Sequence, residues 1–224
     1  MAEILEPALD KARATAALTP PARQLHRWVL TVFIDTGHAP PRADLERMAR
    51  DHGVDPAAAL SELTTRDVLA VDEQGEIRAA YPFSPTPTRH RVTWDGGTGV
   101  HAMCAIDALG ISAMLSVPVT VTSTEPDTNH EVTVQVDHNT ARWHPTTAVV
   151  FAGTTAGACC PSVDRTCGHI NFYTTADAAH DWATRHPEVT GVVLDQAQAL
   201  TCGIAEFGAL IRPLDQPAGE DIGR

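Results

Sequence analysis

Basic residues are scarce in this sequence. Its 224 residues include 16 Lys and Arg against 28 Asp and Glu, which gives a net charge of −12, and Lys11 is the only lysine. A surface of this sign repels phosphate backbones and anionic lipid headgroups. We therefore expect neither a nucleic acid nor a membrane among the partners of this protein.

Long apolar runs and targeting signals are also missing. The N-terminus has neither the basic segment nor the apolar core that a signal peptide needs. The longest apolar stretch, residues 111–121, is interrupted by Ser112, Ser116 and Pro118 and is too short to cross a bilayer. The sequence thus predicts a cytoplasmic protein, and its 43% apolar residues suffice for a sizeable hydrophobic core.

The cysteines lack the paired C-x2-C spacing of a structural zinc site. There are five of them: Cys104, Cys159, Cys160, Cys167 and Cys202. An odd number of cysteines in a reducing compartment favours metal binding or thiol chemistry over a disulfide framework. Cys202 lies in a helical pattern and is most simply a small buried apolar residue.

The N-terminal part predicts three helices followed by a β-hairpin. Helix starts at Thr19, Pro40 and Asp55 precede a hairpin over residues 68–80. This is the element order of a winged helix, a fold that often binds DNA. Residues 1–85, however, carry nine Arg and Lys against thirteen Asp and Glu. Because phosphate binding needs the opposite balance, we predict a packing or lid module.

The domain organisation follows from these patterns. Residues 1–82 predict the winged-helix-like module, and the proline-rich residues 81–87 predict a short linker. A second domain is predicted at residues 88–213, where β-branched strands alternate with amphipathic helices, and residues 214–224 predict a flexible tail. The expected fold class is α+β: an N-terminal helical module followed by a mixed or antiparallel sheet domain with flanking helices.

Two short segments carry residues that are suited to chemistry. In the first, Cys104 and Asp107 are three residues apart, so both lie on one face if the segment is helical, with Gly110 able to end the turn. The second begins at Cys167 and continues with strand character over residues 168–173. Two thiolates suffice for a soft metal, and a carboxylate can accept and return a proton. We expect these groups to converge on a soft electrophile.

These segments resemble the two motifs of the organomercurial (alkylmercury) lyases. The first reads Cys-Ala-Ile-Asp-Ala-Leu at residues 104–109, and the second reads Cys-Gly-His-Ile-Asn-Phe-Tyr at residues 167–173. The resemblance extends over residues 90–211, and the winged-helix-like N-terminal module of that family also fits residues 20–82.

The resemblance implies an enzyme of mercury detoxification that cleaves a carbon–mercury bond by protonolysis, releasing a hydrocarbon and Hg(II). Cys104 and Cys167 would bind the mercury. Asp107 would shuttle the proton and contact the Hg(II) product. No cofactor is implied, but free cellular thiols would be needed for turnover, and a mercuric reductase is an expected recipient of the product.

One departure from the family pattern leaves questions open. The family often carries a further cysteine in the strand region after the first motif, whereas residues 119–131 contain none. The neighbouring Cys159 and Cys160 are interpreted as a mercury relay, as a thiol pair without a role, or as competitors for the second ligand position. His101 and His169 could tune the site, although both are more simply structural.

Two rival functions also fit the sequence. One is a non-enzymatic protein that binds or senses mercury or another soft metal, with the N-terminal module contacting DNA. A basic third helix would favour this rival, and that helix is not basic. The other is a relative of the lyases that kept the cysteines but acts on a different substrate.

Overall fold

The computed structural model describes residues 10–155 and 161–211. Helices and antiparallel sheets are mixed in it, so the α+β class predicted from the sequence is confirmed. The helices are α1 Lys11–Ala16, α2 Pro20–Thr36, α3 Arg42–Asp51, α4 Pro56–Thr65, α5 Ala105–Leu115, α6 Ser162–Arg165, α7 Ala176–Arg185 and α8 Gln196–Phe207, with a 3-10 turn at Cys167–His169. Across these two ranges, no helix combines the length and the hydropathy that a membrane span requires.

The strands of the described ranges form two sheets in which all hydrogen-bonded neighbours are antiparallel. They are β1 Leu69–Val71, β2 Ile77–Ala80, β3 Phe83–Ser84, β4 His90–Thr93, β5 Val100–Ala102, β6 Val119–Thr124, β7 Glu131–Asp137, β8 Thr140–His144, β9 Val149–Thr155, β10 Ile170–Tyr173 and β11 Val189–Leu194. The larger sheet has the order β1-β2-β3-β5-β4-β6-β7-β8, and the smaller has the order β10-β9-β11. Both β6 and β7 alternate buried and exposed residues, because one face of the larger sheet packs on helix α5.

Three N-terminal helices start where proline and capping residues predict them. Helices α2 and α4 carry proline in their first turn, and Asp55 caps α4 by accepting a hydrogen bond from the Ala57 N–H at 3.1 Å. Helix α2 ends at Gly37, whose φ of 77° suits glycine. The β1–β2 hairpin follows, in the element order that the sequence predicts.

Residues 81–87, which their prolines predict to be a short linker, include strand β3. Tyr81 and Phe83 are buried, and Phe83 pairs with residues of both β2 and β5. The ring of Phe83 lies 5.4 Å from that of Phe33 in helix α2. Burial of these two aromatic rings outweighs the tendency of a proline-rich stretch to stay exposed. One sheet therefore continues from the N-terminal hairpin into the C-terminal part.

Helices α5 and α8 cross closely at two glycines. A Cβ on Gly110 would lie 2.4 Å from the carbonyl oxygen of Gly203, and a Cβ on Gly203 would lie 2.8 Å from the Gly110 nitrogen. Gly110 is thus in the interior of α5, which corrects the expectation that it ends the turn. The helix ends instead at Ser116, which has a left-handed φ of 57°. Gly110 therefore allows the close approach of α5 and α8 and does not cap a helix.

Strand β8 is absent from the sequence prediction. Trp143 is its one large apolar residue, and this side chain is buried with its ring 5.7 Å from that of Phe172. An edge strand with one buried position in five residues leaves little periodic signal in the sequence. Only the pairing with β7 reveals the strand.

Candidate active site

Cys104 and Asp107 lie at the N-terminal end of helix α5. Cys104 is the N-cap residue, and its Sγ accepts a hydrogen bond from the Asp107 backbone N–H at 3.4 Å. A sulfur atom thus takes the position that an oxygen occupies in most helix caps. Both side chains are buried, with 3% of each residue exposed. The local helix geometry therefore holds a thiol and a carboxyl group side by side.

Cys167 begins the 3-10 turn that connects α6 to β10. Its side chain is buried, and its Sγ lies 4.0 Å from the Thr166 hydroxyl oxygen. The Asn171 side chain closes the turn by donating a hydrogen bond to the Gly168 carbonyl at 2.9 Å. The predicted strand begins only at Ile170, because this turn occupies the three residues before it.

The structure brings Cys104, Asp107 and Cys167 into one small pocket of about 20 Å³. This volume is about the space that one water molecule needs. The other lining residues are Lys11, Tyr81, Ile106, Ser162, Thr166, Ile170, Glu206 and Phe207. Within the described ranges, no three Cys, His, Asp or Glu side chains are grouped closely enough to hold a metal ion. The two thiols and the carboxyl group line the pocket without forming a ready-made metal cluster.

Burial dominates the electrostatics of the pocket. It raises the pKa of Asp107 to about 7 and that of Cys167 to about 12, and it raises the pKa of Cys104 well above the ordinary thiol value. The nearby Asp107 charge adds to the rise at both thiols, whereas the Lys11 charge lowers the pKa of Asp107 and of Cys167. At neutral pH, both thiols are therefore protonated, and Asp107 is close to the midpoint of its titration.

Lys11 is a site residue that the sequence analysis missed. Its Nζ donates hydrogen bonds to the Asp67 Oδ2 and carbonyl oxygen, both at 2.6 Å, and to the Ser162 Oγ at 3.0 Å. It also lies 4.0 Å from the centroid of the Tyr81 ring. Ser162 in turn donates to Asp67 through its hydroxyl and its N–H. The one sequence signal for this residue was that it is the only lysine of the chain, all other basic side chains being arginines or histidines.

This network connects three segments that are distant along the chain. Lys11 belongs to α1, Asp67 follows α4, and Ser162 begins the short helix that precedes Cys167. We call Lys11, Asp67 and Ser162 the Lys11 clasp. Glu206 of α8 extends it by accepting a hydrogen bond from the Lys11 backbone N–H at 2.5 Å. The clasp thus attaches the N-terminal segment to the turn that carries Cys167.

The remaining candidate residues lie away from the pocket lining. His101 Nδ1 is 3.1 Å from the Thr88 backbone nitrogen, and the ring of His169 is 6.4 Å from that of Trp182. Cys202 is half-buried on α8 outside the lining. The predicted relay residues, Cys159 and Cys160, lie outside the described residues.

The family comparison agrees with the motifs and the pocket. Residues 83–208 match the family model described as alkylmercury lyase, which is more than half of the chain. The chain belongs to the alkylmercury lyase family. The organomercurial lyase function and the lyase class predicted from the sequence are thereby confirmed at the level of the family.

Individual alkylmercury lyases match over most of the chain. The enzyme of Streptomyces lividans is 32% identical over 218 residues, which span 88% of this chain and 97% of the relative. That of Staphylococcus epidermidis is 28% identical over 154 residues, spanning 68% of this chain and 70% of the relative. That of Bacillus cereus is 27% identical over 180 residues, spanning 79% of each.

A solved structure shares the fold. The mercury-bound form of MerB2 superposes with a TM-score of 0.71 and covers 94% of this chain and 100% of its own, at 22% identity. This chain therefore shares its fold with a solved structure as well as its family with the alkylmercury lyases.

Proposed function

We propose that this alkylmercury lyase cleaves the carbon–mercury bond of an organomercurial cation between Cys104, Asp107 and Cys167. The observation that carries the proposal is a single small pocket lined by two buried thiols and a carboxyl group whose pKa is about 7. A group that titrates near neutral pH can both accept and return a proton there.

The first step is the binding of mercury by sulfur. The mercury of R–Hg⁺ bonds to one sulfur, Cys104 or Cys167, and the displaced thiol proton passes to the Asp107 carboxylate. The second thiol then bonds to the same mercury and releases its proton to solvent. A soft metal favours thiolate ligands, and metal binding drives the loss of protons from thiols with raised pKa values.

The second step is protonolysis. Two sulfur donors increase the electron density on the mercury-bound carbon, and protonated Asp107 transfers its proton to that carbon. The carbon–mercury bond breaks, a carbon–hydrogen bond forms, and the hydrocarbon R–H leaves. Hg(II) remains on the two sulfurs with Asp107 beside it. One of the two thiol protons thus ends on carbon and the other in solvent, and no redox change occurs.

The pocket lining contains both apolar and polar side chains. Ile106, Ile170 and Phe207 offer an apolar surface for the organic group, while Lys11 and Glu206 lie among the polar lining residues. The pocket volume of about 20 Å³ is too small for an organomercurial, so the lining has to move apart for substrate to enter. Cys167 lies on a short 3-10 turn, whereas Cys104 caps a regular helix. The turn is therefore the more easily displaced side of the pocket.

The product and partner assignments complete the proposal. Hg(II) passes from the two sulfurs to free cellular thiols and then to a mercuric reductase, and the protein itself needs no cofactor. The winged-helix-like N-terminal module acts as a packing module. Two contacts support this role: its hairpin continues into the larger sheet, and Lys11 reaches the pocket lining.

Hydrocarbon release tests the proposal. Phenylmercury or methylmercury is mixed with the protein and excess free thiol, and benzene or methane is quantified by gas chromatography. Cys104→Ala, Cys167→Ala and Asp107→Ala should each abolish release, whereas Cys202→Ala, which removes a thiol outside the pocket, should not. A folded, reduced protein that binds Hg(II) without hydrocarbon release would overturn the enzyme and leave a mercury-binding protein. Loss in Cys159→Ala with retention in Cys167→Ala would show that the second ligand is misassigned.

A further inference from the structure

Three aliphatic or aromatic hydrocarbon side chains line the pocket of the two thiols: Ile106, Ile170 and Phe207. Two of them lie in segments that carry a reacting group. Ile106 lies between the first thiol and the carboxyl group in α5, and Ile170 begins strand β10 directly after the Cys167 turn. Phe207 is instead the last residue of helix α8, which carries none of the three reacting groups. Of the three side chains, only that of Phe207 can change in size while both of these segments keep their sequence.

The Phe207 side chain packs against the backbone of helix α5. A Cβ on Gly110 would lie 2.8 Å from the Phe207 Cδ2 and 2.9 Å from the Phe207 Cβ, so the side chain occupies space that a larger residue at position 110 would fill. Gly110 follows Asp107 by three residues, which places both on one face of α5. The Phe207 side chain therefore lies about one helical turn from the carboxyl group that is proposed to protonate the carbon.

The crossing of two helices fixes the position of Phe207. Gly203, four residues before Phe207 on α8, approaches α5 so closely that a Cβ on it would lie 2.8 Å from the Gly110 nitrogen. Because protein interiors are closely packed, a side chain anchored at such a crossing can withdraw only if the helices separate. The proposed entry of substrate displaces the Cys167 turn and leaves this wall of the pocket in place.

We propose that Phe207 is a specificity-determining residue whose ring limits the size of the organic group that the pocket accepts. The inference rests on the proposed function, in which the mercury-bound carbon lies beside Asp107 when it receives the proton. The rest of the organic group then extends along the apolar lining, where it meets the ring. Because the ring faces the organic group and not the metal, it should affect the choice among substrates and leave the binding of Hg(II) unchanged.

Phe207→Leu is the direct test, because it removes the ring and keeps an apolar side chain. Phenylmercury and methylmercury are compared by the release of benzene and methane, and kcat/KM is measured for each. The phenyl-to-methyl ratio of kcat/KM should rise about tenfold, since even one methylene in an apolar pocket changes selectivity by about this factor. A partial loss of folded protein lowers both values of kcat/KM equally, so the ratio separates selectivity from stability.

Phe33→Leu is the matched control. Phe33 is also buried, but it lies on α2 against Phe83 and outside the pocket lining. This variant should keep the ratio of the parent. An unchanged ratio in Phe207→Leu, or an equal rise in Phe33→Leu, would overturn the inference.

A second variant and a second measurement keep the test decisive if Phe207→Leu folds poorly. Phe207→Met places a flexible, unbranched side chain at the same position and should raise the ratio in the same direction. The affinity for Hg(II) alone, measured by competition with free thiol, should equal that of the parent in both Phe207 variants. Weaker binding of Hg(II) by a folded Phe207 variant would contradict the inference, because the residue would then act on the sulfurs.

The failure of the inference differs from the failure of the proposed function. If the parent releases no hydrocarbon from either substrate, the proposed function is wrong and the inference falls with it. If the parent releases both hydrocarbons and the two Phe207 variants keep its ratio, only the inference is wrong.

Discussion

The two halves of the site are built in different ways. The helix half consists of Cys104 and Asp107 on α5, three residues apart and joined by a hydrogen bond within one helical turn. The turn half consists of Cys167 on a 3-10 turn, which is held by residues from distant segments through the Lys11 clasp. The first half depends on local geometry and on a rigid helix crossing. The second depends on tertiary contacts with residues that are distant along the chain.

The largest expected effect is on the helix half. Asp107→Asn should lower kcat by about 10²- to 10⁴-fold, because an amide cannot transfer the proton to carbon.

The same change should stabilise the protein at high pH. Burial raises the pKa of Asp107 from 3.8 to about 7. The folded protein thus holds this proton more tightly than the unfolded chain, and stability is lost as pH rises between these two values, by at most about 4 kcal/mol.

Urea denaturation of parent and Asp107→Asn at about pH 5 and pH 8 measures this effect. The stability advantage of the variant should be larger at pH 8. An advantage that does not change with pH would show that Asp107 is ionised in the folded protein across this range. Glu206 has a raised pKa as well, and its charge raises the pKa of Asp107, so the difference between the two proteins measures Asp107 together with its interaction with Glu206.

The next largest effect tests the rigidity of the helix half. Gly110→Ala should destabilise the protein by about 1–3 kcal/mol, since the new Cβ would lie 2.4 Å from the Gly203 carbonyl oxygen. The matched control is Gly168→Ala beside Cys167, where a Cβ meets no atom within 4 Å. The control should change the free energy of unfolding by less than about 0.5 kcal/mol. If both substitutions lower the free energy of unfolding equally, the helix half is not more tightly packed than the turn half.

A smaller effect tests the clasp of the turn half. Lys11→Met should cost about 1–2 kcal/mol of stability, because Asp67 loses its ammonium partner but keeps 28% of its side chain exposed. The Lys11 charge lowers the pKa of Asp107 and of Cys167, so the variant should shift the pH profile of kcat/KM upward.

Arg13→Met is the control for that experiment, since it removes an exposed cation from the same helix. It should leave the free energy of unfolding and the pH profile close to those of the parent. If Lys11→Met and Arg13→Met behave alike, the clasp has no influence on the site. Partial recovery of stability in the double variant Lys11→Met/Asp67→Asn would attribute the loss to the unpaired carboxylate.

The smallest expected effect concerns a second ion pair that reaches the turn half. Arg78 of β2 pairs with Asp164 of α6 at 2.8 Å, but about 40% of each side chain is exposed. Arg78→Ala should cost less than about 1 kcal/mol and leave hydrocarbon release unchanged. A loss of hydrocarbon release in Arg78→Ala would mean that the exposed Arg78–Asp164 ion pair, and not the buried Lys11 clasp, holds the turn in place.

The sequence by itself determined the local features of this protein. Prolines and side-chain caps placed α2 and α4, β-branched residues placed β6 and β7, and the three-residue spacing of Cys104 and Asp107 placed both groups on one helical turn. These features depend on neighbours within a few residues, so their signals are complete in a short window of sequence. The two motifs were sufficient to indicate the family for the same reason.

Only the tertiary structure decided what depends on distant partners. Gly110 is predicted to end a helix until α8 supplies the backbone that approaches it, and Tyr81 is predicted to be part of a linker until burial places it in the pocket lining. Lys11 joins the site through Asp67 and Ser162, which are 56 and 151 residues away along the chain. No local pattern encodes such contacts, because they arise from the packing of elements that are remote in sequence.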